Sequence, residues 1–114
     1  MSKITTHVLD TACGRPAQGV RVELELLCQD GKWHVLGDGT TDADGRLRTL
    51  LPEGAPLEAG TYRIGFQVGA YFDAIGIQCF YPEVSVTFRV RDERAHYHVP
   101  LLISPYGYST YRGT

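Results

Sequence analysis

Apolar and polar residues alternate with period two along most of this chain. Val20, Val22, Leu24 and Leu26 alternate with Arg21, Glu23 and Glu25, and Val84, Val86, Phe88 and Val90 alternate with Ser85, Thr87, Arg89 and Arg91. Successive side chains of a strand point to opposite faces, so each run predicts a strand with one apolar and one wetted face. Tyr62, Ile64, Phe66 and Val68 repeat the pattern after Gly60, and Lys32 to Thr40, around Trp33, Val35 and Leu36, carries a weaker version. Asp42-Ala-Asp-Gly45 has the composition of a turn. Arg46 to Leu51 follows as a short strand that Pro52 stops, because proline lacks the ladder N–H. With Ile4 to Asp10, His96 to Ser104 and Gly107 to Arg112 the count reaches about eight strands. Helical spacing is confined to Gly69 to Ile75, ahead of Gly76, and Pro52 to Gly60 reads as loop. Strand following strand without helical crossovers predicts an all-β domain of two packed antiparallel sheets.

Length and charge narrow the partners. A chain of 114 residues without an internal repeat is one domain, 1–114, able to bury roughly two-thirds of its unfolded surface. A net charge of -2 gives no bulk attraction to nucleic acid or to an anionic membrane, which leaves small molecules or copies of the same chain. The start, Met1-Ser-Lys-Ile-Thr-Thr-His, lacks the apolar run of a signal peptide, and no segment approaches the roughly 18 apolar residues of a membrane span. A cytoplasmic location is expected. Cys13, Cys28 and Cys79 are odd in number and form no C-x-x-C pair, so free thiols are expected instead of disulfides or a zinc ribbon.

Several polar residues lack an obvious structural purpose. Chain ends fray, yet this one closes with Tyr106, Tyr108, Tyr111 and Arg112, side chains that are costly to order. That points to a docked terminal strand that helps to build a site. In strand geometry Tyr97, Val99, Leu101 and Ile103 share the core face, which turns His96, His98 and Pro100 outward. The same parity groups Thr5, His7 and Leu9 opposite Ile4, Thr6 and Val8. An outward imidazole is suited to moving protons during a hydrolysis, and is equally at home as a solvated side chain. His96 and His98 at i and i+2 suggest metal ligands, but no third ligand completes a zinc set. No G-x-S-x-G elbow is present, and Ser104 precedes a proline. Water activated by histidine is the simpler chemistry. Arg46, after the Asp-Gly turn, is either a solvated charge or a planar fork of donors for a carbonyl-rich heterocycle and its developing oxyanion. Arg112 competes for that role. Tyr106 and Tyr108 suit cross-strand packing.

Taken in order, Thr6-His-Val-Leu-Asp10, Asp44-Gly-Arg46, Phe80-Tyr-Pro-Glu-Val-Ser-Val-Thr-Phe88, His96-Tyr-His-Val-Pro-Leu-Leu102 and Tyr111-Arg-Gly-Thr114 resemble the 5-hydroxyisourate hydrolases, the transthyretin-like enzymes of urate breakdown. The likeness runs along essentially the whole chain. It implies a transthyretin-like sandwich of two four-stranded antiparallel sheets with one short helix, assembled as a homotetramer with active sites in a channel between subunits. It also implies hydrolysis of the N1–C6 amide bond of 5-hydroxyisourate, to 2-oxo-4-hydroxy-4-carboxy-5-ureidoimidazoline, without cofactor or metal. His7, Arg46 and His98 match the catalytic positions, and His7, Arg46 and Tyr111 match the substrate-binding ones. The family tail usually ends in serine where this chain has Thr114, which keeps the hydroxyl and adds a methyl group. The rival class is a binding protein: transthyretin has the same sandwich but carries thyroid hormone, and its apolar channel lacks the paired histidines, the arginine and the Tyr-Arg-Gly tail.

Overall fold

The computed structural model describes residues 2–114. Nine strands and one helix follow one another as β1 (Ile4–Asp10), β2 (Arg15–Pro16), β3 (Arg21–Leu27), β4 (Trp33–Thr40), β5 (Arg46–Leu47), β6 (Gly60–Phe66), α1 (Val68–Ala74), β7 (Val84–Val90), β8 (Tyr97–Ser104) and β9 (Gly107–Thr110). They form two layers. One is a four-stranded antiparallel sheet in the order β4-β3-β6-β7; the other runs β2-β1-β8-β9, with β5 also paired to β1. The expected all-β sandwich with one short helix is therefore present.

Two details of the second sheet differ from the expectation. It has five strands, and β1 and β8 pair in parallel, from Ile4 opposite Tyr97 to Asp10 opposite Ile103. Alternation gives the face of each residue but not the direction of its neighbour, so parallel pairing leaves no local trace. The strand expected over Arg46 to Leu51 shrinks to Arg46–Leu47, because Leu50 and Leu51 leave the ladder and drop into the core. Strand β2 is too short to carry a period.

Apolar faces of both layers meet between the sheets. Ile4, Val8, Leu101 and Ile103 from one sheet and Val22, Leu24, Tyr62, Ile64 and Phe66 from the other are almost wholly buried. Burying each such side chain contributes about 1.5–3 kcal/mol. The buried tyrosines keep their hydroxyls satisfied: Tyr62 donates to the Glu58 carbonyl at 2.7 Å and Tyr97 to the Asp92 carbonyl at 2.9 Å. At the far end of β1 the Asp10 carboxylate, also buried, accepts from the Ala12 N–H at 3.0 Å and the Tyr71 hydroxyl at 2.8 Å, which ties α1 to the sheet. Helix α1 stops at Gly76, which takes a left-handed backbone (φ +74). The three cysteines are free thiols, and no helix among the described residues is long and apolar enough to cross a membrane.

The turn before β5 is the most tightly specified. Asp42 Oδ1 accepts from the backbone N–H groups of Asp44 and Arg46 at 2.9 and 3.0 Å, and these bonds, the Arg46 one foremost, hold the Asp42 carboxyl below its ordinary value. Gly45 sits at φ +75 with its carbonyl accepting from Val8 N–H at 2.7 Å. A Cβ there would lie 2.3 Å from the Val8 carbonyl oxygen, whereas one at Gly14 (φ +70) would meet nothing. Gly14→Ala is expected to lose only the left-handed penalty of about 1–2 kcal/mol, and Gly45→Ala clearly more, because strand β1 must move as well. Urea denaturation of both variants measures this; equal losses would remove the packing argument.

Candidate active site

Strand β1 gathers the site from two of its three neighbours. Antiparallel pairing with β5 sets His7 opposite Arg46, and parallel pairing with β8 sets Thr5 opposite His98. Thr5 and His7 share the outer face of β1, as His98 does on β8, so the polar groups stand on the face of the sheet turned away from the core. The buried Thr5 hydroxyl lies 2.8 Å from Nδ1 of His98 and 3.2 Å from Nε2 of His96. The two imidazoles are nearly parallel, at 11°, with centroids 6.4 Å apart.

Each member is held differently. His7 Nε2 lies 2.9 Å from the Asp44 carbonyl oxygen. A carbonyl only accepts, so this nitrogen carries the proton and the contact pins His7 to the turn that presents Arg46. No hydrogen bond or ion pair to another described residue holds the Arg46 guanidinium, while its neighbour Arg48 reaches Asp42 at 3.4 Å. On the far side of His98 the chain end closes in. The Gly113 N–H donates to the His98 carbonyl at 2.8 Å, forming an isolated antiparallel bridge. A Cβ at position 113 would stand 2.6 Å from Cδ2 of His98, so any larger residue there must displace the imidazole. The imidazole is thus wedged between Thr5 on its Nδ1 edge and Gly113 on its Cδ2 edge.

Thr5, Thr6, Arg46, Arg48, His96, His98 and Thr114 line an open cavity of about 170 Å³. Burial first, and then the charge of Arg46 with smaller contributions from His7 and His96, lowers the His98 pKa from its ordinary 6.5. That direction favours the neutral imidazole, able to take a proton beside a guanidinium that no other described residue binds. That is the arrangement for activating water and receiving an oxyanion.

The structure sets Arg46 and His98 on one cavity, with His7 opposite Arg46 across the ladder but not among the lining residues, and Tyr111 lies on another cavity of the same chain. Tyr111 lines a separate cavity of about 250 Å³ with Val86, Phe88, Tyr97, Val99 and Arg112. The Arg112 guanidinium stacks on the Tyr97 ring at 4.5 Å, so it does not compete with Arg46. From the tail, Gly113 and Thr114 reach the histidines. Thr5 was legible only as a residue sharing the His7 face; its place between two imidazoles depends on the β1–β8 register. Among the described residues no three His, Cys, Asp or Glu side chains cluster as metal ligands.

Comparison with known proteins gives the family. The HIUase/Transthyretin family model matches residues 4–113. The 5-hydroxyisourate hydrolase of Salmonella dublin is 47% identical over 111 residues, 97% of this chain and 80% of that protein. The structure of Klebsiella pneumoniae 5-hydroxyisourate hydrolase superposes with a TM-score of 0.84 at 37% identity, covering 99% of this chain and 100% of that one. Sea bream transthyretin in complex with thyroxine superposes with a TM-score of 0.90 at 32% identity, covering 99% and 96%.

The electrostatics make a prediction of their own. Removing the guanidinium charge in Arg46→Gln stabilises the imidazolium, so the His98 titration followed by NMR is expected below pH 6.5 in the parent and higher in the variant. An unchanged midpoint would mean that Arg46 does not act on His98.

Proposed function

The chain belongs to the HIUase/transthyretin family, and on that footing we propose that it hydrolyses 5-hydroxyisourate with the His7, Arg46 and His98 group on the outer face of its five-stranded sheet. The observation that carries this is that His98, held by Thr5, lines one cavity with Arg46, whose guanidinium has no hydrogen bond or ion pair to another described residue. The sandwich itself superposes on a carrier as well as on a hydrolase, so the fold leaves the choice to the site. A carrier of an apolar ligand gains nothing from an outer face of histidine and arginine.

In this mechanism His98 accepts a proton from water as the water oxygen attacks C6 of the substrate. The carbonyl electrons move onto oxygen, and the Arg46 fork stabilises that oxyanion. Collapse re-forms the C6 carbonyl and breaks the C6–N1 bond, while the imidazolium returns its proton to N1. The ring opens with one water added. His7, anchored through Nε2 to the Asp44 carbonyl, positions the substrate and fixes the arginine-bearing turn. Thr114 lines the same cavity as His98 and offers its hydroxyl to the substrate there, while Tyr111, on the neighbouring cavity, is available to a site completed by a second chain.

We further infer a homotetramer in the cytoplasm, with each site completed between subunits. Strands β7 and β9 are unpaired edges of the two sheets, and the cavity holding Tyr111 lies between β7 and the tail that follows β9. Exposed edges of this kind invite pairing with another copy. The open cavity of about 170 Å³ around His98 is also smaller than the roughly 300–1,000 Å³ of an ordinary small-molecule site, which supports closure by a second chain.

The direct test forms 5-hydroxyisourate from urate in a cuvette and follows its ultraviolet decay with and without the protein; decay at the spontaneous rate would refute the reading, and thyroxine binding without hydrolysis would favour the carrier. Arg46→Lys keeps the charge but not the fork, and kcat/KM is expected to fall about 10²- to 10³-fold. Retained activity would return Arg46 to a solvated turn charge. His7→Asn and His98→Asn should each lower turnover steeply, and the double variant should lose less than the product of the two. Strict additivity would indicate independent binding contacts.

A further inference from the structure

A hydroxyl has one proton, and Thr5 offers its hydroxyl to two imidazoles at once, at 2.8 Å to Nδ1 of His98 and 3.2 Å to Nε2 of His96. To satisfy both contacts with neutral rings it must donate to one and accept from the other. Donation to His98 would put the His98 proton on Nε2, leaving that nitrogen without a lone pair. Donation to His96 does the reverse: His98 then carries its proton on Nδ1, and its Nε2 is bare.

We propose that Thr5 is a positioning residue that sets the His98 tautomer, accepting from Nδ1–H of His98 and donating to Nε2 of His96, so that Nε2 of His98 is the basic nitrogen presented to the cavity. The surroundings of the ring decide the direction. Thr5 occupies the Nδ1 edge and Gly113 the Cδ2 edge, so the edge carrying Nε2 is the one left to the cavity that Arg46 also lines. Arg46 has only donors. A proton on Nε2 would set donor against donor beside a cation, whereas a lone pair there faces positive charge favourably. His96 permits the arrangement at no desolvation cost, because it is exposed and its Nδ1–H can face water. The partner of the second ring nitrogen commonly fixes which nitrogen of a histidine is free for chemistry. Here that partner is a neutral hydroxyl instead of a carboxylate, so it selects the tautomer without placing a negative charge that would favour the imidazolium. Burial of Thr5 keeps water from substituting for it.

The inference rests on the hydrolase reading, but its first measurement does not. Nitrogen-15 NMR of the wild-type protein at pH 7.5 or above reports which ring nitrogen of His98 carries the proton, whether or not the protein turns over 5-hydroxyisourate. Nδ1–H is expected; a proton on Nε2 would overturn the proposal. Thr5→Val keeps the branched shape without the hydroxyl and should shift His98 toward Nε2–H and lower kcat about tenfold or more, with KM nearly unchanged. Thr5→Ser should restore both readouts. His96→Ala, at an exposed position where folding is not at risk, frees the Thr5 proton to donate to His98 and should produce the same tautomer shift. Thr5→Val with wild-type kcat and an unchanged nitrogen spectrum would show that Thr5 only packs. Absence of hydrolysis by the wild type would defeat the functional reading instead, leaving the tautomer result standing on its own.

Discussion

The polar site depends on the register of β1 between β8 and β5. Thr5 stands opposite His98 and His7 opposite Arg46 only at this alignment. A slip of one residue would turn every outward side chain of β1 inward, carrying His7 into the layer now filled by Ile4 and Val8. The core enforces the alignment, since burying an imidazole without partners costs several times what a lost surface contact does. Packing between the sheets therefore fixes the geometry of residues that take no part in that packing. The turn at Asp42 to Gly45 adds a second constraint from the other side, because its carbonyl at Gly45 joins β1 at Val8 just before β5 presents Arg46.

Positive charge in the site has two opposed uses. Arg46, with its donors unspent, is poised for a carbonyl oxygen, and the same charge, after burial, depresses the proton affinity of His98. A base needs to be unprotonated before reaction yet strong enough to take a proton from water. Lowering its pKa helps the first and weakens the second. The balance shifts once an oxyanion forms over Arg46, since the developing negative charge offsets the guanidinium and the imidazolium is then better tolerated. A carboxylate behind His98 would favour the charged ring even in the resting state. The structure puts a threonine there.

Period-two alternation made most of the fold legible, and with it the outward placement of His7 and His98, because facing is a local property of a strand. Arg46 was legible from the Asp-Gly turn before it. What stayed hidden needs knowledge of neighbours. The parallel pairing of β1 with β8, Thr5 between two imidazoles, and Gly113 against the His98 ring all arise from residues far apart in the chain. Tyr111 shows the limit most clearly. The tail docks, as its ordered aromatic chemistry suggested, with β9 paired to β8, but its alternation sends Tyr111 to one side and brings Gly113 and Thr114 to the histidines. Composition identified an ordered tail without saying which of its residues faces which cavity.

That the sandwich superposes on a transthyretin in complex with thyroxine as well as on a hydrolase follows from how it divides its labour. The inner faces are saturated with apolar side chains, so the backbone arrangement is set there and is shared by proteins of different activity. On the proposed mechanism, function is written on the outer face of one sheet, where a change from apolar to polar residues hardly disturbs the layers. Gly113 illustrates how small the difference can be. A single methyl group at that position would press on the His98 ring, and the ring could yield only by disturbing its contact with Thr5. A site that binds an apolar ligand would tolerate such a displacement as a change of shape. On the proposed mechanism, one that moves a proton through a particular nitrogen would not, which gives the glycine beside the His98 ring a reason beyond its backbone bridge.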